Sequence, residues 1–265
     1  RIKDWALAEA VMQRGDIGLG ESYIQGHWSS QDLAGLLRLF LVNRRALEDA
    51  VYGHWWGALL ARLKHLLNRN TRQGSRRNIV AHYDLGNAFY KLWLDPSMNY
   101  SSACFEPGAG AQSLQRAQQA KMRRALAELQ LQPGQRLLEI GCGWGAIAEM
   151  ATRDFGVHAT GLTLSDEQLA YARQRVQDAG LAARCDLRLQ DYRDLPERGF
   201  DGVVSIEMFE AVGREYWDGY FKTVHDKLKP GGRACIQSIT IRDDLFERYT
   251  RSTDFIQQYI FPGGC

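Results

Sequence analysis

The sequence predicts an α/β protein: a doubly wound, mostly parallel sheet with a smaller, mainly helical domain ahead of it. Three observations carry that expectation. From about residue 78, short β-rich runs alternate with helical ones, the pattern of successive βαβ units. The strand-like run Leu137–Ile140 leads directly into Gly141-Cys142-Gly143-Trp144-Gly145 and then a helical stretch. The hydrophobic set is 45% and the charged set 24% of 265 residues, an ordinary globular composition at a length that allows one large domain or two small ones.

Residues 1–75 read as the N-terminal domain, mainly helical and ending in a basic linker. Gly15-Asp16-Ile17-Gly18-Leu19-Gly20 and Gly26-His27-Trp28 are turn-rich and suit short strands. Leu33, Leu36, Leu37, Phe40 and Leu41 recur at helical spacing after a start signal at Ser29, Ser30 and Asp32. Val51, Trp55, Leu59 and Leu63 form a second apolar stretch, and Asn68–Arg77 reads as a polar, basic linker. Residues 1–77 hold 12 Lys and Arg against 7 Asp and Glu, although the whole chain carries only +2. Six of those cations, Arg62, Lys64, Arg69, Arg72, Arg76 and Arg77, occur with no acid among them. That run is either a solvated linker or a patch for anionic phosphate, such as a membrane surface; no nucleic-acid motif accompanies it.

Residues 76–265 read as the sheet domain. A helix is expected over 113–130 and ends at Pro133-Gly134. Strands are expected at 136–140, 157–162, 186–190, 201–206 and 233–239, with helices at 145–154, 165–180 and 214–228. Right-handed crossovers then place every strand's C-terminal end, and the ligand crevice, on one edge. Apolar runs such as Leu36–Leu37 and Leu39–Val42 fall far short of the roughly 20 residues that cross a membrane, and no secretory leader is apparent. The five cysteines, Cys104, Cys142, Cys185, Cys235 and Cys265, form no C-x-x-C pair, which points to neither a disulfide framework nor a metal site and suits a reducing cytoplasm. Beginning at Arg1 and stopping at Cys265, the chain reads as a piece of a longer protein.

The glycine loop marks a ligand site. Gly141, Gly143 and Gly145 let the backbone pass close to a ligand, and the helix that follows presents free N–H groups. Glu139, two residues before the first glycine, repels a pyrophosphate and suits a positively charged ligand such as S-adenosylmethionine. A dinucleotide site would carry an acid at the tip of the second strand; here that strand ends in Gly161-Leu162-Thr163-Leu164-Ser165. Thr163 and Gln168 are candidates for ribose or methionine contacts, and Asp191-Tyr192 for the adenine. Each also has a local alternative: Ser165 with Gln168 is a capping box.

At these positions the chain resembles the cyclopropane-fatty-acyl-phospholipid synthases and mycolic acid cyclopropane synthases, within the Rossmann-like S-adenosylmethionine-dependent methyltransferases. The resemblance rests on Ala81-His82-Tyr83-Asp84-Leu85, Tyr100-Ser101-Ser102-Ala103, Ala117-Gln118-Gln119-Ala120-Lys121, Leu138 through Gly145, Gly161 through Ser165, Met208-Phe209-Glu210, Leu228-Lys229-Pro230-Gly231-Gly232 and Tyr259 through Gly264. It implies S-adenosylmethionine contacts at Tyr100, Ser101, Gly141, Gly143, Trp144, Thr163, Gln168, Tyr192 and Arg193. It implies an unsaturated acyl chain as substrate, usually within a membrane phospholipid, and a bound bicarbonate that takes the proton released after methyl transfer. The bicarbonate ligands map onto Glu210 and the amide of Ile239, with Ser102 where the family has Cys and Gln237 where it has His. Gln237 cannot carry a positive charge, and Ala211 stands where a His commonly follows the Glu. Those departures lead to the expectation that methyl transfer persists while the cation's fate differs, giving a methylene branch for a partner reductase to convert.

Glu207 reads as a group that orients Glu210, or as a cap or salt bridge. Tyr216, Trp217 and Tyr220 read as packing, and His82 as a structural hydrogen-bonder. Phe89, Tyr90, Trp93 and Leu94 either line an acyl tunnel or form core. The expected protein is cytoplasmic and peripherally membrane-associated, with a homodimer contact on its N-terminal domain. Two other readings compete: a methyltransferase of a soluble small molecule, and a non-catalytic binder of lipid or S-adenosylmethionine.

Overall fold

A computed structural model describes residues 1–43, 86–108, 110–251 and 253–260. The apolar stretch around Trp55, the basic run 62–77, His82 and the motif at 261–264 lie outside the described residues. The chain divides into two compact units, Arg1–Arg69 with Ile241–Cys265, and Asn70–Thr240.

In the first unit, α1 spans Ala6–Ile24 and α2 spans Leu33–Val42. The turns and strands expected at Gly15–Gly20 are instead part of α1. A kink at Gly15, with φ of 57° and ψ of −128°, divides the helix. A Cβ on Gly18 would lie 2.0 Å from the carbonyl oxygen of Ala10, so this glycine serves close approach between the two halves of α1. Trp28 forms one antiparallel bridge with Ile2 and donates from its indole to Leu19 O at 3.1 Å. Asp32 caps α2 by accepting from Gly35 N at 2.7 Å, as its start signal predicts. Within the same unit α8, Asp243–Arg251, leads to a π-helical turn at Ile256–Ile260, and Phe255 N donates to the Asp16 carboxylate at 3.0 Å.

The second unit is the sheet. Before it come α3, Gly86–Tyr90, and α4, Leu114–Glu128. The sheet then alternates β1 (Arg136–Ile140), α5 (Ala146–Phe155), β2 (His158–Thr163), α6 (Asp166–Asp178), β3 (Cys185–Leu189), β4 (Phe200–Ile206), α7 (Trp217–Lys227) and β5 (Leu228–Gln237). Its order is β3-β2-β1-β4-β5, and each neighbouring pair is parallel. Glu139 of β1 stands in register with Gly161 of β2 and Val204 of β4. Chain order reverses between β1 and β4, the switch point where such sheets open a crevice.

The two central strands, β1 and β4, are covered on both faces and buried along nearly their whole length. Leu137 and Val204 pack with α4 and α5 through Met122, Leu126 and Ile147. Leu138, Ile140 and Val203 pack on the other face with Phe200, Tyr220 and Val224. Ala148, Leu169, Ala172 and Leu187 close the β2–β3 side. Leu138 is fully buried, and truncating such a side chain typically costs about 2–5 kcal/mol. Leu138→Ala is expected to lower the unfolding free energy by that order, read as a lower urea midpoint with no change in the denaturant slope.

Candidate functional site

The site is assembled at the C-terminal edge of β1 and β4. After Ile140 the backbone turns through Gly141, Gly143 and Gly145, at φ of +85°, +51° and +81°. Gly141 N and Cys142 N donate to Leu162 O at 3.0 and 2.8 Å, which ties the loop to the end of β2. Gly145 begins α5 where a Cβ would sit 2.9 Å from the Cβ of Ala172. Trp144 is buried; its indole donates to Asn87 Oδ1 at 2.6 Å.

Glu139 lies beneath this loop. It is 3% exposed, and its Oε2 has no hydrogen-bond partner. Burial pushes its carboxyl up to about 8, against the Ala148 amide and the Lys121 charge, which favour the ionised form. A buried acid with one unpartnered oxygen below a glycine loop fits a cationic ligand group, which would draw it into its ionised form.

On the β2 side, Thr163 donates to Gln168 Oε1 at 3.0 Å, and Ser165 caps α6 by accepting from Gln168 N at 3.2 Å. The Ser165 cap is present, and the Gln168 side chain bends to Thr163 instead of closing the capping box. Its Nε2 comes within 3.9 Å of where a Gly143 Cβ would stand. Beyond β3, Asp191 turns onto its neighbour: it accepts from Arg193 N at 2.9 Å and pairs with the Arg193 guanidinium at 2.5 Å. Tyr192 stacks edge-on against Tyr220 at 5.6 Å, and burial raises its hydroxyl to about 12.

The aromatic cluster noted before Asp95 packs against the loop. Tyr90 is 1% exposed and lies 5.1 Å from the Trp144 ring and 5.6 Å from Tyr100. Trp93 meets Tyr100 at 5.0 Å. These rings position Tyr100 and the chain that follows it. Ser101 is held from α4, where Gln118 Nε2 donates to Ser101 O at 2.7 Å and Lys121 Nζ to Ser101 Oγ at 2.5 Å. Burial lowers the Lys121 ammonium to about 8, opposed by the charges of Glu207, Asp95 and Glu139.

Two carboxylates lie just past β4. Glu210 Oε1 accepts from Ser238 Oγ at 2.8 Å and from Ile239 N. Glu207 Oε1 accepts from three donors: Ser102 N at 2.9 Å, Ser102 Oγ at 2.8 Å and Gln237 Nε2 at 2.8 Å. Glu207 also adopts φ of +46°, a left-handed conformation that costs a non-glycine residue roughly 1–2 kcal/mol. Its N–H is satisfied by Gln237 O at 2.8 Å.

The structure thus brings Ser102 and Gln237 together around Glu207, while Ile239 joins Glu210. Sequence reasoning left Glu207 in a supporting role and gave none to Gln118, Lys121 or Asn87. A signal existed for two of these. Gln118 and Lys121 fall on the same helical stripe as Ala117, Met122 and Leu126, polar residues at core positions. Among the described residues no helix is long and apolar enough to cross a membrane.

The fold and the glycine loop define a Rossmann-like methyltransferase fold. Residues 70–265 match the mycolic acid cyclopropane synthetase family, and the chain belongs to that family. A tuberculostearic acid methyltransferase of Mycobacterium tuberculosis, UfaA1, is 38% identical over 98% of this chain and 61% of its own length. A cyclopropane-fatty-acyl-phospholipid synthase of Escherichia coli is 37% identical over 100% of this chain and 66% of its own. Among solved structures, mycolic acid cyclopropane synthase CmaA1, complexed with SAH and CTAB, superposes with a TM-score of 0.65 at 36% identity, over 71% of this chain and 68% of that one. The chain spans about three fifths to two thirds of the first two relatives.

The raised Glu139 carboxyl has a consequence for stability. Between an unfolded value near 4.5 and a folded value near 8, the folded state holds a proton that the unfolded state has released. Stability from this group is therefore full below about 4.5 and is lost as pH rises toward 8. Glu139→Gln is expected to melt higher than the parent protein at about pH 8–9 without ligand, the gap closing toward about pH 5.

Proposed function

We propose that this chain carries the cofactor site and the reacting centre of an S-adenosylmethionine-dependent enzyme that methylates the double bond of unsaturated phospholipid acyl chains. The observation that carries the proposal is the pairing of two features at the β1–β4 edge. A glycine loop lies over a buried unpartnered acid, and two positioned carboxylates, Glu207 and Glu210, stand beside it. Family membership narrows the chemistry to this class.

When bound, S-adenosylmethionine supplies an electrophilic methyl group on a sulfonium. Glu139 would hold the cofactor's ammonium group, and Gly141, Gly143 and Gly145 would admit its amino-acid portion. Thr163 and Gln168 serve the ribose or the methionine. Trp144, Tyr100, Ser101, Asp191, Tyr192 and Arg193 shape the remaining walls. Asp191 keeps Arg193 folded beside Tyr192, which supports a role for the Tyr192 ring face more than for a free Asp191 carboxylate. Glu210 fixes the turn at Ser238–Ile239 over the crevice.

The alkene attacks the methyl carbon. A C–C bond forms, the C–S bond breaks, and a cation remains on the neighbouring acyl carbon. Loss of a methyl proton with ring closure gives a cyclopropane; a 1,2-hydride shift before that loss gives a methylene branch, which a partner reductase would convert to a methyl group. Bicarbonate does not fit the centre: the expected donors Ser102, Gln237 and Ile239 are each engaged by Glu207 or Glu210. The basic run 62–77 would draw the protein to anionic phospholipid, each cation contributing roughly 1 kcal/mol, and the N-terminal unit would serve a homodimer.

Two experiments test this reading. Full-length protein incubated with S-adenosylmethionine and monounsaturated phospholipid vesicles is expected to add one carbon to the acyl chains by mass spectrometry, with fragmentation distinguishing ring from branch. Unchanged lipid together with intact cofactor binding would redirect the proposal to a soluble small molecule. In calorimetry with S-adenosylhomocysteine at about pH 7, binding is expected to release a proton from Glu139, seen as a heat that varies with buffer ionisation. Glu139→Gln is expected to abolish that release and weaken binding about tenfold or more, the loss of one charge-assisted hydrogen bond.

A further inference from the structure

Three donors converge on one oxygen of Glu207, while the other oxygen is left open. Ser102 N, Ser102 Oγ and Gln237 Nε2 all reach Oε1 within 2.9 Å, and among the described residues Oε2 accepts no hydrogen bond. Ser102 and Gln237 are also the two bicarbonate-ligand positions at which the sequence departs from the family pattern. Glu207 sits at the first residue past β4, on the crevice side of the switch point, and holds a left-handed backbone conformation that a structural carboxylate on a surface has no need of. Lys121, buried in α4 and bonded to Ser101, contributes a positive charge toward Glu207. The arrangement is that of an immobilised anion: one oxygen fixed, the other presented.

We propose that Glu207 is the proton acceptor of the reaction, a carboxylate built into the chain where a dissolved anion would otherwise be recruited, with Ser102 and Gln237 as its positioning residues. The inference rests on the proposed lipid methylation and names the base for its second half. Oε2 takes the proton that leaves the methylated acyl cation; the C–H electron pair becomes either the ring-closing C–C bond or the π bond of the methylene branch. The carboxylic acid so formed returns its proton to water before the next turnover. No oxidant, reductant or metal enters this balance. Gln237 is neutral and holds Oε1 through a hydrogen bond alone.

Glu207→Gln separates a base from a strut. A glutamine keeps an oxygen for the three donors and cannot accept a proton. The variant is expected to melt and to bind S-adenosylhomocysteine as the parent protein does, while methylation of monounsaturated phospholipid falls on the order of 100-fold, the scale of a lost general base. The parent protein is expected to keep full turnover in buffer purged of carbon dioxide and to show no binding of [13C]bicarbonate by NMR. Turnover of Glu207→Gln within about threefold of the parent would overturn the proposal. So would parent turnover that collapses without bicarbonate, a result that needs no variant to fold. A parent protein that consumes no S-adenosylmethionine on unsaturated lipid under any condition would overturn the lipid reading itself, and this one with it.

Discussion

The pairing of β1 with β4 is the constraint on which the rest of the site depends. Leu137, Leu138 and Glu139 run in parallel register with Gly202, Val203 and Val204. Because both strands run the same way, both end at the same edge. One continues into the glycine loop and the other into Glu207 and Glu210. Had β4 paired in the opposite sense, its carboxylates would lie at the far end of the sheet from Gly141. Apolar burial on both faces, through Leu137 toward α4 and α5 and Leu138 toward α7, holds that register, since a slip would turn these side chains to the wrong layers.

Around that edge the chain tolerates polar burial that a purely structural core would avoid. Glu139, Gln118 and Lys121 are each less than 5% exposed. Gln118 and Lys121 reach from α4 to hold Ser101, and the next residue, Ser102, donates twice to Glu207. Glu139 and Glu207 both act on the charge of Lys121. The side that would receive a cofactor and the side that would receive a proton therefore share one buried cation and one short segment, Tyr100–Ser102. Desolvation of these groups is unfavourable for folding, which locates the functional constraint in residues far apart in sequence.

Much of the fold was legible from periodicity and punctuation. Four of the five strands and the four helices expected in the sheet unit lie close to their expected bounds, because β-rich runs and helical stripes were cleanly separated by Gly and Pro, and Ser165 caps its helix as its position suggests; the short α3 was not expected. β5 begins earlier than expected, at Leu228, since Lys229-Pro230-Gly231-Gly232 reads as a loop while Leu228 still pairs with Phe200 across an irregular register. The kinked α1 was missed because its glycines serve helix contact, a tertiary reason with no local signature. The glycine loop and Glu139 were legible because they are contiguous. The clamp on Glu207 was not: its donors lie 105 and 30 residues away, and only the sheet brings them together.

The measurement that bears most directly on this account is a crystal structure of the protein with S-adenosylhomocysteine. The account predicts the ligand against Gly141–Gly145 at the β1–β4 edge, its amino group on Glu139, with Glu207 still clamped by Ser102 and Gln237. A ligand seated elsewhere, or a Glu139 carboxylate left without contact to it, would contradict the account.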